Sequence, residues 1–543
     1  MNTKFYYRLA IIFLALFSLT VFSSCIANNS LDFELSHENT GSHIDNGDGT
    51  FTWKDNREDE IMDFIPDSIN VTLKPEYSQV NREIKLDNFG INHREVGLGA
   101  IRDRTHLDNP ETALIDWKYF VQMLSIELEE NFRSREGIVN AIRELEKSPM
   151  VRRVQPACTG VGVPVGITLS TVPALRTASN DEYFDLQWGL QRINIEQAWS
   201  YVTTNYQLRV GLMDGGLRDS NNPNWSHPDL NVSPLSFGRH IWLMHGVAVG
   251  GVLGAVRNNL TGISGAANVS LVHFDWVENK FVDHIMRAAD SGIAIINCSF
   301  IFHRISSGWA PYNEDHADAI RMYSGLIVVA AGNDGDYTDI SERYPAGYSN
   351  ASNPKVDSIV ANKVISVGAS DENDERALFI VRGSSNYGRN SVSLFAPGTN
   401  ILTTFPTVGQ HAERCRNTNC YIEGSVHFSL GYHHTEGSSL ASPYVSGAAS
   451  LLRTKYTLMD GPALKANILE SVDKIPAKLV NLCATEGRLN AAKIFENLFG
   501  GGTGTQNDPY LIKDARHFRN MYYYGYNNND KYYKMTNNIN LSN

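Results

Sequence analysis

The rhythm of apolar and polar positions changes several times along the chain. Lys4 and Arg8 precede a predominantly apolar run from Leu9 to Phe22, and small residues then lead to Cys25. The run is shorter than the roughly 20 residues that span a bilayer, and it has the layout of an export signal over residues 1–24. Residues 25–60 are rich in Asn, Ser, Gly, Asp and Thr, which predicts a polar tether. Alternation begins next: Ile69, Val71 and Leu73, then Leu124, Ile126 and Leu128, face every second position, so both stretches predict half-buried strands. The period then lengthens. Ser134 can cap a helix whose Ile138, Ile142 and Leu145 share one face, and Pro149 stops it before Met150 to Val154 resumes an extended pattern. A compact α+β domain is therefore expected over residues 61–158. Residues 159–179, with Val, Thr, Pro and Gly and almost no charge, predict a linker.

Beyond residue 180 the strand candidates become almost wholly apolar: Leu208 to Met213, Val269 to Phe274, Ile293 to Cys298, Leu326 to Ala331, Val364 to Ala369 and Val392 to Phe395. Helical stretches lie between several of them, at His245 to Val256, Phe281 to Ala289 and Ala317 to Tyr323. This alternation predicts an α/β fold, a parallel doubly wound sheet with helices on both faces, over residues 180–498. Ligands of such sheets bind at the carboxyl ends of the strands, so polar residues just after them take priority. Residues 499–543 begin with a Gly-rich linker, and Asn507 to Ile512 and Asn537 to Leu541 look like the opening of a surface-repeat module, β-helical in type. One such unit cannot bury its own face, which predicts either a truncated module or an end docked elsewhere.

Length and composition add limits. The 543 residues suffice for several folding units. With 47 basic and 59 acidic residues the net charge is -12, so no nucleic-acid partner is expected. Six cysteines are too few for a disulfide scaffold, and no zinc-finger pair occurs among them.

Asp214 closes the first apolar strand in Met213-Asp214-Gly215-Gly216, His245 opens a helix rich in Gly and Ala, and Asn333 ends the strand Val328 to Ala331 through Gly332. Ser439 sits where an apolar helix starts. Each alone has a plain structural reading: a turn aspartate, a capping histidine, a turn asparagine, an N-cap serine. Ser439 at the positive end of a helix dipole can also act as a nucleophile beside an oxyanion site.

Taken together, Asp214-Gly215-Gly216, His245-Gly246-Val247-Ala248-Val249 and Gly437-Ser438-Ser439-Leu440-Ala441-Ser442-Pro443 resemble, in order and kind, the signature segments of the subtilisin-like serine peptidases, the subtilases. Gln187-Trp188-Gly189-Leu190, Tyr344-Pro345-Ala346, Ser385-Asn386-Tyr387-Gly388 and Ala396-Pro397-Gly398 extend the resemblance over about residues 180–498. It implies an endopeptidase acting on proteins or peptides through an acyl-enzyme, with Asp214, His245 and Ser439 as catalytic triad and Asn333 in the oxyanion hole. No cofactor is needed for that chemistry. Subtilases often hold structural calcium, but no loop here has ligand spacing that assigns a metal site. Residues 61–158 resemble a subtilase propeptide, which would make this segment a partner that blocks the cleft until cleavage between Pro156 and Asp181; a retained accessory domain is the alternative.

The chain departs from the family pattern in places. Val247 and Ala248 stand where threonine and a second histidine are usual, and Phe300-Ile301-Phe302 stands where glycine generally follows. Ser299, Phe300 and Ile301 are expected to border the substrate, with bulky side chains narrowing or reshaping the pocket. Cys415 and Cys420 are a candidate disulfide, and His427, His433 and His434 read as solvated loop histidines rather than metal ligands.

Ser23-Ser24-Cys25 after Val21-Phe22 resembles a bacterial lipobox, which implies a lipid on Cys25 and a membrane anchor. The other readings are an ordinary secretory signal with Cys25 incidental and an uncleaved anchor. All place the protein outside the cytoplasm, in the cell envelope, or secreted once processing cuts the link to Cys25. A rival in another class is a catalytically silent subtilase-fold protein that binds peptides or surface partners. A lipase-like hydrolase fits poorly, since its triad has another chain order and Gly437 to Ala441 lacks the final glycine of the elbow.

Overall fold

The computed structural model describes residues 60–158, 161–164, 179–203, 206–218, 226–238, 243–304, 308–379, 383–406, 431–525 and 530–541, together with 42–45 and 51–55; of these, 42–45, 51–55, 60–67, 135, 136, 158, 161–164, 243, 304, 308 and 525 are described by their backbone alone. Cys25, Cys415, Cys420 and His427 lie outside these residues.

The upstream unit is an antiparallel sheet covered by one helix. Its strands are β1 (Glu60–Leu73), β2 (Leu98–Asp103), β3 (Met123–Leu128) and β4 (Val151–Cys158), and β1 lies between β3 and β4 with β2 outside β3. Helix α1 (Arg135–Leu145) starts where the Ser134 hydroxyl accepts the Gly137 N–H at 3.1 Å. It buries Ile138, Ile142 and Leu145 against Ile69, Val71, Leu124 and Ile126. The polar stretch before it is not wholly a tether: Ser42–Asp45 pairs with Phe51–Asp55, which pairs with the start of β1. Its alternation, Phe51-Thr52-Trp53, is too short to stand out among polar neighbours.

After the 60–158 unit, β5 (Val161–Pro164) lies in the segment that composition reads as a linker. The main sheet follows: β6 (Leu208–Met213), β7 (Val232–Ser236), β8 (Val269–Phe274), β9 (Ile295–Cys298), β11 (Leu326–Ala330), β12 (Val364–Ser370) and β13 (Leu394–Pro397). Across the sheet their order is β13, β12, β11, β9, β6, β8, β7, all parallel. The order reverses at β6, so a crevice opens at its carboxyl end. Helices α2 (Leu243–Gly254) and α5 (Ser438–Lys455) cover one face, burying Val249, Leu253, Leu440 and Val445 with Val210, Leu212 and Val328. Helices α3 (Phe281–Asp290) and α4 (Glu314–Met322) cover the other, with Ile285, Ile320, Val272 and Ile296. Two further strands, β14 (Ile401–Thr404) and β15 (Tyr432–Thr435), form a separate antiparallel pair, and β10 (Phe300–Arg304) leaves the sheet after β9 to pair antiparallel with β5.

The upstream unit packs onto α3 and α4. Leu107, Ile115, Val121 and Met123 enter the same core as Ile285, Met286 and Tyr323, and the Leu114 N–H donates to the Ala289 carbonyl at 2.9 Å. Beside this core Arg153 pairs with Asp315 and with Asp318, the latter at 3.1 Å. The end of the chain also docks. A strand–helix–strand unit, Tyr510–Ile512, Ala515–Gly525 and Tyr533–Met535, joins its strands in parallel. Ile512 is buried in the core of the α2 and α5 face, Phe499 stacks on Tyr510 at 4.5 Å, and the amides of Asn467 and Asn520 donate to each other at 3.0 and 2.8 Å. The expected β-helical start is here a β-α-β unit closed by the neighbouring domain.

Candidate active site

Four residues expected to carry chemistry come from separate elements: Asp214 and His245 meet in one hydrogen bond, and Asn333 is bonded to Ser438, the neighbour of Ser439. Asp214 follows β6 directly, with its backbone N–H donating to the Phe274 carbonyl at 2.9 Å. His245 lies in the first turn of α2, and its Nδ1 is 2.7 Å from Asp214 Oδ1. That oxygen also accepts the Gly215 N–H at 2.6 Å. A carboxylate can only accept, so Nδ1 carries the proton and Nε2 is left as the basic nitrogen. His245 Nε2 has no hydrogen-bond partner within the structure and is buried. Close approach of α2 to the Asp214 turn depends on Gly246, where an added Cβ would sit 2.2 Å from the Gly216 carbonyl oxygen.

Ser439 is the second residue of α5. The helix start is tied to the end of β11: the Ser438 N–H donates to Asn333 Oδ1 at 2.9 Å, and the Ser438 hydroxyl accepts the Gly332 N–H at 3.0 Å. The first bond fixes the Asn333 amide, leaving its Nδ2 as a buried donor without a partner. Asn386 holds the turn from behind, donating to the Ala331 carbonyl at 2.9 Å and accepting the N–H groups of Asp334 and Asp336. Asp214, His245, Asn333 and Ser439 are all 3% exposed or less, so charge moved among them is poorly screened by water.

Ser299 serves α5. Pro443 has no N–H to offer the carbonyl four residues back, that of Ser439. The Ser299 hydroxyl donates to this carbonyl at 2.9 Å and meets the Ser442 hydroxyl at 2.9 Å, while Asn297 Nδ2 donates to Ser299 at 2.8 Å. Phe300 lies in the core with Phe302, ring centroids 5.3 Å apart, because alternation along β10 turns both inward. Its bulk is spent there. Ile301 faces the other way, with Cδ1 2.6 Å from where a Cβ on Gly332 would lie.

The unusual Val247 and Ala248 are held through their carbonyls, which accept the hydroxyls of Thr404 and Thr403 at 2.7 and 2.5 Å. His433 and His434 are buried in β15, not solvated in a loop. Tyr-His-His-Thr has no apolar alternation to signal a strand, so only pairing with β14 places it. Burial pushes His433 down to about 4, with His434 adding to the shift. Cys298 is a buried free thiol, and burial raises its pKa well above the usual range.

Among the described residues no cluster of three or more His, Cys, Asp or Glu could hold a metal ion. Two buried carboxylates that meet around the Asn258 to Ile263 segment, Asp181 and Asp229, spend their oxygens on protein donors. Asp181 accepts from Ser179, Ser264 and the N–H groups of Asn258 and Asn259. Asp229 accepts from Asn259, Tyr432 and the Ile263 N–H. As arranged, these residues do not fit a calcium ion. Burial raises Asp229 to about 6 despite the three donors.

The sequence profile of the subtilase family matches residues 202–502. The chain is similar to thermitase of Thermoactinomyces vulgaris, 28% identical over 334 residues that cover 58% of this chain and 98% of that one. It is also similar to subtilisin BL of Lederbergia lenta, 26% identical over 281 residues, 49% of this chain and 84% of the other. Among solved structures, fervidolysin from Fervidobacterium pennivorans, a keratinolytic enzyme related to subtilisin, aligns with a TM-score of 0.54 and 19% identity over 86% of this chain and 65% of that one. That likeness is one of fold.

Proposed function

The chain belongs to the subtilase family of serine endopeptidases, and from that premise we propose that Asp214, His245 and Ser439 form its catalytic triad in an exported enzyme made as a proenzyme. The observation that carries this reading is the 2.7 Å bond from His245 Nδ1 to a buried Asp214, with Nε2 unpartnered. Ser439 Oγ attacks the peptide carbonyl while His245 Nε2 takes its proton. Asp214 stabilises the imidazolium, and Asn333 Nδ2 with the Ser439 N–H receives the oxyanion. His245 then gives its proton to the leaving amine, and water releases the acyl group by the same steps. These side chains supply nucleophile, base and donor, so the chemistry needs no cofactor. Calcium, if it serves this protein, acts on stability.

The pairing of β5 with β10 supports the proenzyme reading. Pro164 lies opposite Phe300, the neighbour of Ser299, whose hydroxyl reaches the Ser439 carbonyl. The segment before the catalytic domain is thus laid along the strand beside the nucleophile, and cleavage between Pro156 and Asp181 would free it. The core shared with α3 and α4 supports the other outcome too, an upstream unit that stays bound after cleavage. Such a unit would keep the enzyme at the membrane through a lipid on Cys25.

One experiment tests these points: fluorophosphonate labelling of membrane and soluble fractions, with and without a chelator, beside Ser439→Ala, with intact mass followed in time. The expected result is labelling that Ser439→Ala abolishes and the chelator leaves unchanged. Membrane association should depend on Cys25, and the mass loss should depend on Ser439. A folded protein that stays unlabelled even after proteolytic removal of the upstream unit would point to the silent peptide-binding reading.

A further inference from the structure

The turn that carries Asp214 is short of internal support. Gly215 and Gly216 follow the aspartate, so no neighbouring side chain can brace it. The carboxylate itself accepts only at Oδ1, from Gly215 and His245, while Oδ2 is buried without a partner. Its aim therefore depends on how the backbone is held. Two bonds hold that backbone, and both come from the end of β8. The Asp214 N–H reaches the Phe274 carbonyl at 2.9 Å, and His273 Nε2 lies 3.0 Å from the Asp214 carbonyl oxygen.

A carbonyl only accepts, so Nε2 of His273 bears the proton in this contact. Burial pushes His273 below the usual histidine range, opposed by the bond to Asp214 and by the carboxylates of Asp275 and Asp214. The ring is then neutral near pH 7 and aims its one N–H at Asp214. Ser236 approaches the other nitrogen at 3.5 Å, and His284 on α3 flanks the same region beside Phe274. His273 itself is buried between the sheet and these groups, too far inside to meet a substrate.

Resting on the triad reading above, we propose that His273 is a positioning residue for the reaction: its N–H holds the Asp214 carbonyl and so keeps the carboxylate aimed at His245. The principle is that a small misplacement of a catalytic group is costly in the transition state and little felt in substrate binding. The role is separable from filling space, because glutamine can place an amide N–H where Nε2 lies, asparagine is too short to reach, and leucine has no donor.

The test is steady-state kinetics on a peptide substrate for His273→Gln, His273→Asn and His273→Leu, with melting temperatures of each. The expected result is a kcat about 10- to 100-fold lower in the Leu and Asn variants, KM little changed, and recovery toward the parent in Gln. Equal kcat throughout, or equal loss in Gln and Leu, overturns the proposal. If His273→Leu does not fold, the contrast between Gln and Asn decides alone. Asp214→Asn separates the two levels. If it leaves kcat intact, the triad reading fails; a flat His273 series beside a crippled Asp214→Asn rejects only the role of His273.

Discussion

The side-chain oxygen of Asn333 is taken by the Ser438 N–H, and that one bond leaves the amide nitrogen as a buried donor with no partner among the described residues. Such a group is costly at rest and useful when a negative oxygen forms beside it. Asn333→Ala is accordingly expected to lower kcat about 100- to 1,000-fold with little change in KM. Steady-state kinetics on a peptide substrate check this; a loss confined to KM would move Asn333 from transition-state stabilisation to substrate binding. Asp214, His245, Asn333 and Ser439 were legible as candidates because each reactive type stands near small residues at the end of an apolar strand or the start of a helix, and because their segments together resemble the subtilase signatures. Asn386 and His273 carry no such local mark. They act on the site through bonds to residues distant in sequence, Ala331 and Asp214.

At the scale of elements, the start of α5 depends on an exchange between a proline and a serine. Pro443 withdraws the N–H that would serve the Ser439 carbonyl, and Ser299, arriving from the end of β9, supplies a hydroxyl in its place. Ser299→Ala should cost about 1–3 kcal/mol of stability by leaving that carbonyl buried and unpaired. The cost should shrink in a Pro443→Ala background, where residue 443 regains its N–H. Denaturant unfolding of the four proteins measures both, and an unchanged cost in the double variant would show that Ser299 acts by another route. The family resemblance placed Ser299 beside the substrate. Its bond to α5 was illegible because it joins residues 140 apart.

For the whole molecule, the contact between the upstream unit and α4 turns on Asp315. Burial alone would raise its pKa, but Arg153 and Arg104 beside it hold it down at about 2, and Thr72 and Gln155 donate to the same carboxylate at 2.9 and 3.0 Å. Asp318 is the counterweight: burial raises it in spite of Arg153, Arg152 and Arg321. An aspartate free in solution titrates near 3.9, about the pH above which the contribution of Asp315 is fully present. That contribution is lost as pH falls toward 2. A chain cleaved in the linker should therefore keep its two parts together at pH 5. Asp315→Asn should weaken that association by about 1–3 kcal/mol, because Arg153 loses one of its two carboxylate partners and keeps only Asp318. Gel filtration of the cleaved protein from pH 7 down to pH 3 checks both. Dissociation of the unaltered protein already near pH 5 would mean that another group controls the contact.

Sequence by itself determined the α/β class, the places of six apolar strands along the chain, the cap at Ser134 and the residue types able to carry the chemistry, since periodicity, capping and turn chemistry are local. Only the tertiary structure decided that β5 lies against β10, that Phe300 turns into the core while Ile301 faces Gly332, that His433 and His434 are buried in a strand, and that the last β-α-β unit closes on the preceding domain. Each of these depends on which surfaces meet, and a meeting of distant segments leaves no periodic trace in either one. The same holds for His273: on its own strand it is one more buried residue, and it acquires a part in the reaction only because β8 lies beside β6.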